Sequence, residues 1–95
     1  FLLTPTGWRL APLYDVNPDP AGNRLSLNVS EYDNTIDLEL ALGVADYFSL
    51  FPQEAEQTAA EICKTVSSHW ERLAQQCGLS HGAMEYMRPA FSLQI

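Results

Sequence analysis

Basic residues are scarce in this chain. Only five of its 95 residues are Lys or Arg, against twelve Asp or Glu, so the formal net charge is −7. Proteins that bind nucleic acid use clustered Lys and Arg to replace the counterions along the phosphate backbone. We therefore expect no direct nucleic-acid binding by this segment.

Long hydrophobic runs and a secretory signal are also missing. The apolar stretch Leu38–Val44 is interrupted by Glu39, and a membrane-spanning helix needs about 20 apolar residues. The N-terminal Phe1–Leu3 has no basic residue before it, and Pro5 follows at once, which does not fit a signal peptide. We expect no membrane partner. Because the chain begins with Phe1 in an apolar strand pattern, we also expect that an N-terminal portion of the protein is missing.

Cysteine is rare too: the chain has only Cys63 and Cys77. They lie fourteen positions apart in one predicted helix, which separates them by roughly 21 Å at about 1.5 Å per residue. A disulfide needs Cα atoms within about 7 Å, so these thiols cannot pair with each other. We interpret both as core thiols, and two free thiols predict a cytoplasmic protein.

What the chain does have is the composition of a folded domain. Its residues are 46% hydrophobic and only 18% charged, whereas disordered segments combine low hydrophobicity with high charge. Ninety-five residues form one domain at most. Within it, residues 1–36 are rich in turn-forming residues and residues 37–95 have helical periodicity.

The first part predicts a hairpin and a long loop. Phe1–Thr4 is one strand, Pro5–Gly7 is a short connection, and the apolar pattern resumes at Trp8 and Leu10. Pro12 then ends regular pairing. The stretch from residue 15 to residue 37 is mostly loop, and loops of this length are usually functional.

One segment of that loop has a different pattern. Leu25–Val29 alternates apolar and polar residues, which predicts a short strand or extended segment.

The second part predicts three helices. Asp37 suits the N-cap of a helix from Leu38 to about Phe48, whose apolar residues cover well over half of its circumference. Such a helix needs cover on more than one side, which again indicates partner surface from outside the chain.

A long helix should begin at Pro52 and end before Gly78, a natural C-terminal capping residue. Ser80 should cap a last short helix that Pro89 stops. One arc of the long helix carries its apolar residues: Ala55, Ala59, Ile62, Cys63, Val66, Trp70, Leu73 and Cys77. The predicted fold class is therefore mainly α (α+β), with a short N-terminal β-hairpin and loop followed by a helical subdomain.

Asp15 is the strongest candidate for a functional residue. It follows the hairpin and stands at the mouth of a loop rich in Pro and Asp. The residues alone leave two interpretations open: a carboxylate ligand for a metal ion, or an Asx turn that braces the backbone before Asn17 and Pro18.

Other candidate sites are weaker. Asp15 opens a pattern like a calcium loop, but the sixth and twelfth places hold Pro20 and Ser26 instead of Gly and Glu. His81 and Glu85 share a helix face at i and i+4, without a third ligand at helical spacing. We interpret His69 and His81 as surface residues. The sequence has no Gly-rich phosphate loop and no nucleophile elbow.

The segment from Gly7 to Pro18 reads Gly-Trp-Arg-Leu-Ala-Pro-Leu-Tyr-Asp-Val-Asn-Pro. It resembles the HipA family of bacterial serine/threonine kinase toxins, in which an Ala-Pro-x-Tyr-Asp stretch follows a hairpin. The resemblance extends over nearly the whole chain, through Leu25–Leu27, the Asp37-capped helix and the long helix at Trp70–Ala74. It departs at Ser49, because family members often have Gly after the Phe that Phe48 matches.

The resemblance implies that the chain is part of a protein-kinase-like C-lobe. Residues 1–36 would be the hairpin and metal-binding loop of the kinase active site, and residues 37–95 the helical C-terminal subdomain. Asp15 would bind Mg²⁺ and, through it, ATP. The family's nucleotide-binding loop, catalytic Asp and neighbouring Asn would precede Phe1, so no catalytic residue falls within this chain and the fragment alone should be inactive. Implied partners are a helix-turn-helix antitoxin and a protein substrate phosphorylated on Ser or Thr.

Two other hypotheses remain. The chain would be a non-enzymatic, acidic helical module that docks a partner protein, or a small metal-binding protein centred on the loop of residues 15–37.

Overall fold

A two-stranded antiparallel hairpin opens the fold. The computed structural model describes residues 1–92, and in it β1 (Leu2–Thr4) pairs with β2 (Gly7–Arg9), with Leu3 opposite Trp8. Gly7 has a φ of 123°, which residues with a Cβ rarely adopt. The predicted hairpin is confirmed, but Gly7 belongs to the second strand and not to the connection, and pairing ends at Arg9, before Leu10.

The long loop contains one isolated bridge, between Arg24 and Thr35. The Leu25 N–H donates to the Asn34 carbonyl at 2.7 Å, and the Asn34 side-chain amide donates to the Leu25 carbonyl at 2.6 Å. Of the two predicted forms of Leu25–Val29, a short strand or an extended segment, the strand does not form, because a side chain takes the carbonyl that a ladder would use and a turn at residues 30–33 follows directly.

The first predicted helix is divided in two. α1 (Leu38–Gly43) starts as expected, since the Asp37 carboxylate accepts a hydrogen bond from the Glu39 N–H at 3.0 Å. Val44 leaves the helical region, with φ −104° and ψ 10°, and a 3₁₀ turn, Ala45–Phe48, follows. Gly43 is a poor helix former, and the break occurs directly after it.

The long helix α2 (Pro52–Gln76) has the predicted ends. Pro52 occupies the first turn, where its missing N–H costs no hydrogen bond. Gly78 has a φ of 85°, its N–H bonds to the Gln75 carbonyl, and the Leu79 N–H bonds to the Ala74 carbonyl, each at 3.0 Å. These two bonds form a Schellman motif, so the predicted role of Gly78 is confirmed.

The last helix, α3 (His81–Met87), begins as predicted. The Ser80 hydroxyl accepts a hydrogen bond from the Ala83 N–H at 3.2 Å. The α-helix ends before Pro89, and the chain continues as a 3₁₀ turn over Arg88–Phe91. Residues 93–95 of the predicted helical subdomain lie outside the described residues.

The core is small and lies between the helices. The Trp70 ring stacks on the Phe91 ring with centroids 4.6 Å apart, and the Arg88 guanidinium lies 5.2 Å from the Trp70 ring centroid. The predicted apolar arc of α2 is only partly in the core: Ile62 and Leu73 are exposed. The buried apolar residues are Val44, Ala45, Ala55, Cys63, Trp70 and Met84.

Much apolar surface finds no cover within residues 1–92. α1 has no buried residue. Leu3 and Trp8 face each other across the hairpin, and each side chain is 70% exposed. No helix within the described residues is both long and apolar enough to cross a membrane.

Candidate functional site

Asp15 lies in the irregular segment that follows β2. Its side chain is exposed, and its backbone has a φ of 54°, in the left-handed region. Asp and Asn enter this region more readily than most residues with a Cβ, because their short polar side chains form local hydrogen bonds. The carboxylate therefore stands at a left-handed backbone position, where solvent reaches it.

The carboxylate of Asp15 differs from those of other Asp residues in the loop in the hydrogen bonds that it accepts. Its Oδ1 accepts a hydrogen bond from the Asn17 side-chain amide at 2.5 Å, and no backbone N–H within residues 1–92 donates to it. By contrast, Asp19 accepts from the Ala21 N–H and Asp33 from the Thr35 N–H, each at 2.9 Å. The Asx turn that the sequence left open at Asp15 is thus absent from this part of the chain.

This arrangement fits one half of a magnesium site. Mg²⁺ prefers oxygen ligands and is usually held by one or two carboxylates together with waters and substrate phosphates. Asp15 supplies such a carboxylate, and the Asn17 amide that contacts it leaves the second carboxylate oxygen, Oδ2, without a hydrogen bond from residues 1–92. Within the same residues, no three His, Cys, Asp or Glu side chains form a cluster that could hold a metal by themselves.

The residues after Asp15 approach the long helix. Val16 and Pro18 line one side of a groove of about 690 Å³, which we call the α2 groove. Its other side is formed by the C-terminal half of α2, by Leu79 and by the end of α3. The loop that carries the candidate carboxylate is thereby placed against the helical subdomain. The groove residues of the helical part are Thr65, Val66, His69, Trp70, Leu73, Ala74, Cys77, Leu79, Met87 and Phe91.

A second, more polar cleft lies between the turn at residues 30–33 and α1. It has a volume of about 610 Å³ and carries four carboxylates, those of Glu31, Asp33, Asp37 and Glu39. Two of the four have structural roles. Asp37 caps α1, and the hydroxyl of Thr35, with its N–H, lowers the pKa of Asp33 below its ordinary value.

A cluster that the sequence did not predict surrounds Arg88. Its guanidinium donates to Glu71 Oε1 at 2.5 Å and to Glu85 Oε1 at 2.7 Å. These bonds lower the pKa of Glu85 and raise that of Arg88. The i, i+3 spacing of Glu85 and Arg88 was a usable signal, whereas Glu71 lies too far away in the chain to give one. Because Glu85 is engaged by Arg88, its pairing with His81 as a metal ligand finds no support.

The remaining candidates have ordinary surroundings. The His69 ring Nδ1 donates to the Thr65 carbonyl, 2.7 Å away, and the ring is exposed. Cys63 is buried, but Cys77 is exposed. The prediction of two core thiols is therefore wrong for Cys77, which lies just past α2, where the α2 groove opens to solvent.

No family model, no curated protein and no solved structure matches this chain.

Proposed function

We propose that this chain is the C-terminal part of a HipA-like serine/threonine kinase of a toxin–antitoxin module. The observation that carries the proposal is the Asp15 carboxylate, which follows the hairpin and is exposed. Within residues 1–92 it accepts none of the backbone hydrogen bonds that occupy Asp19 and Asp33. The resemblance of the segment from Gly7 to Pro18 to that family assigns this position to a Mg²⁺ ligand.

The backbone at Ser49 gives independent support. It has a φ of 57° and ends the 3₁₀ turn after α1. Glycine adopts this conformation without steric cost, and this is the position at which HipA-like sequences often have Gly. Ser49 thus stands at a position where the backbone conformation favours Gly, the residue that the family often has there.

The exposed hairpin also supports membership of a larger unit. A two-stranded hairpin is marginally stable at best unless it packs against further structure. Here the cross-strand pair of Leu3 and Trp8 is mostly exposed, and in a kinase lobe it would be covered by the preceding part of the polypeptide.

In this function Asp15 would be a ligand of an ATP-bound Mg²⁺, and Asn17 would orient its carboxylate. Bound Mg²⁺ would neutralise the charge that develops on the transferred phosphoryl group. The residues of this chain do not activate the substrate hydroxyl or cradle the phosphates, so those tasks belong to the rest of the kinase. The protein substrate and a helix-turn-helix antitoxin are partners that the same proposal implies.

The test is the substitution Asp15→Asn in the intact protein, measured as transfer of radiolabelled phosphate from ATP. Loss of the anionic ligand should lower the rate by at least about 100-fold, because a positioned charge that stabilises a transition state typically contributes that much or more. The circular dichroism spectrum should not change, since the carboxylate is exposed.

The matched control is Asp19→Asn, four residues along the same loop. An amide oxygen at that position still accepts the Ala21 N–H, so phosphate transfer should be close to that of the unmodified protein. An Asp15→Asn variant that phosphorylates normally would exclude the metal-ligand role.

A second candidate function is a non-enzymatic module that docks a partner protein. The exposed α2 groove, with its apolar lining, favours it. The same experiment separates the two: an intact protein that transfers no phosphate and binds no ATP, yet captures a defined partner through α2, would be an adaptor and not a kinase.

A further inference from the structure

The long helix α2 has two apolar sides. One side contains the buried residues Cys63 and Trp70 and faces the core. The other continues along the helix as a seam of Ile62, Val66, His69 and Leu73, of which Val66 is half-buried and the others are exposed. We call it the α2 seam. Ile62 is 56% exposed and Leu73 is 49% exposed.

The spacing of the α2 seam is that of a helix–helix interface. Its members follow one another at intervals of four, three and four residues. Apolar residues at alternating intervals of three and four form the contact line of paired helices. The core of this chain uses the neighbouring side of α2, and Val16 and Pro18 cover the seam only in part. Ile62 and Leu73 remain exposed.

The α2 seam is self-complementary when two copies of the helix run antiparallel. A two-fold axis midway between residues 67 and 68 places Ile62 opposite the partner's Leu73 and Val66 opposite the partner's His69. Both pairings follow because the two residues of each pair lie at equal distances on either side of that axis. In a two-fold interface each contact occurs twice, as such symmetry requires.

Charges beside the α2 seam fit the same arrangement. Glu61 and Arg72 lie on the same flank of α2, and the antiparallel register brings Glu61 near the partner's Arg72, within two residues of exact opposition. Within residues 1–92, Arg72 forms no ion pair. In a parallel arrangement this flank would face the partner's opposite flank, so Glu61 would not lie near the partner's Arg72.

The accessible surface area supports association on this scale. The chain exposes 8093 Å², whereas a folded monomer of its mass exposes about 5,500 Å² on average. The excess of about 2,600 Å² exceeds the roughly 800 Å² that each partner buries in a standard interface. One interface along α2 therefore uses only part of the surplus, which leaves the hairpin surface for other contacts.

We propose that the α2 seam is a homodimer interface, in which the seam of a second copy lies antiparallel in the α2 groove. The proposal does not depend on the kinase function, because Asp15 belongs neither to the α2 seam nor to the lining of the α2 groove.

Sedimentation velocity of the intact protein over a range of concentrations tests the dimer. We expect a concentration-dependent dimer, and Ile62→Glu or Leu73→Glu should raise its dissociation constant at least about tenfold, because each substitution buries two uncompensated charges in the symmetric interface. Leu27→Glu is the matched control, because Leu27 is 81% exposed and lies outside the α2 seam. A protein that stays monomeric at every concentration overturns the proposal.

A charge-swap experiment tests the antiparallel register without altering the apolar residues. Glu61→Arg and Arg72→Glu should each weaken the dimer, and the double variant E61R/R72E should restore it. If none of the three variants changes the dissociation constant of the dimer, the dimer uses another face, and this result also overturns the proposal. Circular dichroism of each variant should show an unchanged helix content, because the side chains of Glu61 and Arg72 are exposed.

Discussion

The carboxylates of the loop differ in what they stabilise. Those of Asp19, Asp33 and Asp37 accept backbone N–H groups and so fix local turns or a helix start. Asp15 accepts a hydrogen bond only from a side chain within residues 1–92. Removing Asp33 or Asp37 should therefore affect folding, whereas removing Asp15 should affect ligand binding.

The turn at Asp33 has a pH dependence whose sign follows from its hydrogen bonds. Because the Thr35 hydroxyl and N–H stabilise the ionised form, the pKa of Asp33 is lower in the folded chain than in the unfolded one. Its contribution to stability is then present above the unfolded pKa of about 3.9 and is lost as the pH falls through the folded pKa.

We expect Thr35→Val to raise the pKa of Asp33 toward its ordinary value, because the hydroxyl is the largest cause of the shift. A carboxyl-detected NMR titration measures it directly. Thr58→Val on α2 is the control and should leave that titration unchanged. An Asp33 titration that does not respond to Thr35→Val would show that the hydroxyl has no such effect.

The secondary-structure elements show where local sequence decides the structure. The hairpin, the N-caps at Asp37 and Ser80 and the end of α2 at Gly78 all depend on residues within a few positions of each other, and all were predicted. The Schellman motif at Gly78 is the clearest case, because only a residue that tolerates a φ of 85° completes it at low cost.

Gly78→Ala should destabilise the protein by about 1 kcal/mol, through the left-handed backbone alone. A Cβ at this position would meet no atom within 4 Å, so no steric clash contributes. The free energy of unfolding is measured by urea denaturation.

Gly82 is the matched control for this prediction. It lies in α3 without a positive φ, and a Cβ there also meets nothing within 4 Å. Gly82→Ala should stabilise the protein by up to about 1 kcal/mol, since Ala is the better helix former. Equal effects of the two substitutions would contradict the role assigned to the backbone at Gly78.

Elements that depend on distant contacts were predicted less well. The helix expected from Leu38 to Phe48 breaks after Gly43, and within residues 1–92 the alternating pattern at Leu25–Val29 has no partner strand that would make it a ladder. At Leu25–Val29 the local pattern is compatible with two structures, and the hydrogen bond from the Asn34 side chain to the Leu25 carbonyl disfavours a regular ladder.

For the candidate site, too, the sequence predicted the local feature and the structure was needed for the contacts. Asp15 was found from a short motif, but its contact with Asn17 and the absence of a backbone donor within residues 1–92 required the structure. The Arg88 cluster joins Glu71 on α2 to the turn after α3, and nothing in the spacing of those two residues predicts their contact.

At the scale of the whole molecule, the chain is extended for its size. Its radius of gyration is 15.8 Å, compared with about 12 Å for a compact domain of the same length. Apolar side chains on α1, the hairpin and the α2 seam remain exposed in this extended chain. The sequence had indicated such a shortage of cover, since the apolar residues around α1 exceed what one packing face uses.

The most direct test of the proposed kinase function is a crystal structure of the intact protein with ATP and Mg²⁺. We expect a carboxylate oxygen of Asp15 to coordinate the ion that the nucleotide phosphates bind. An Asp15 carboxylate separated from that ion by more than one layer of water would contradict its role as a metal ligand.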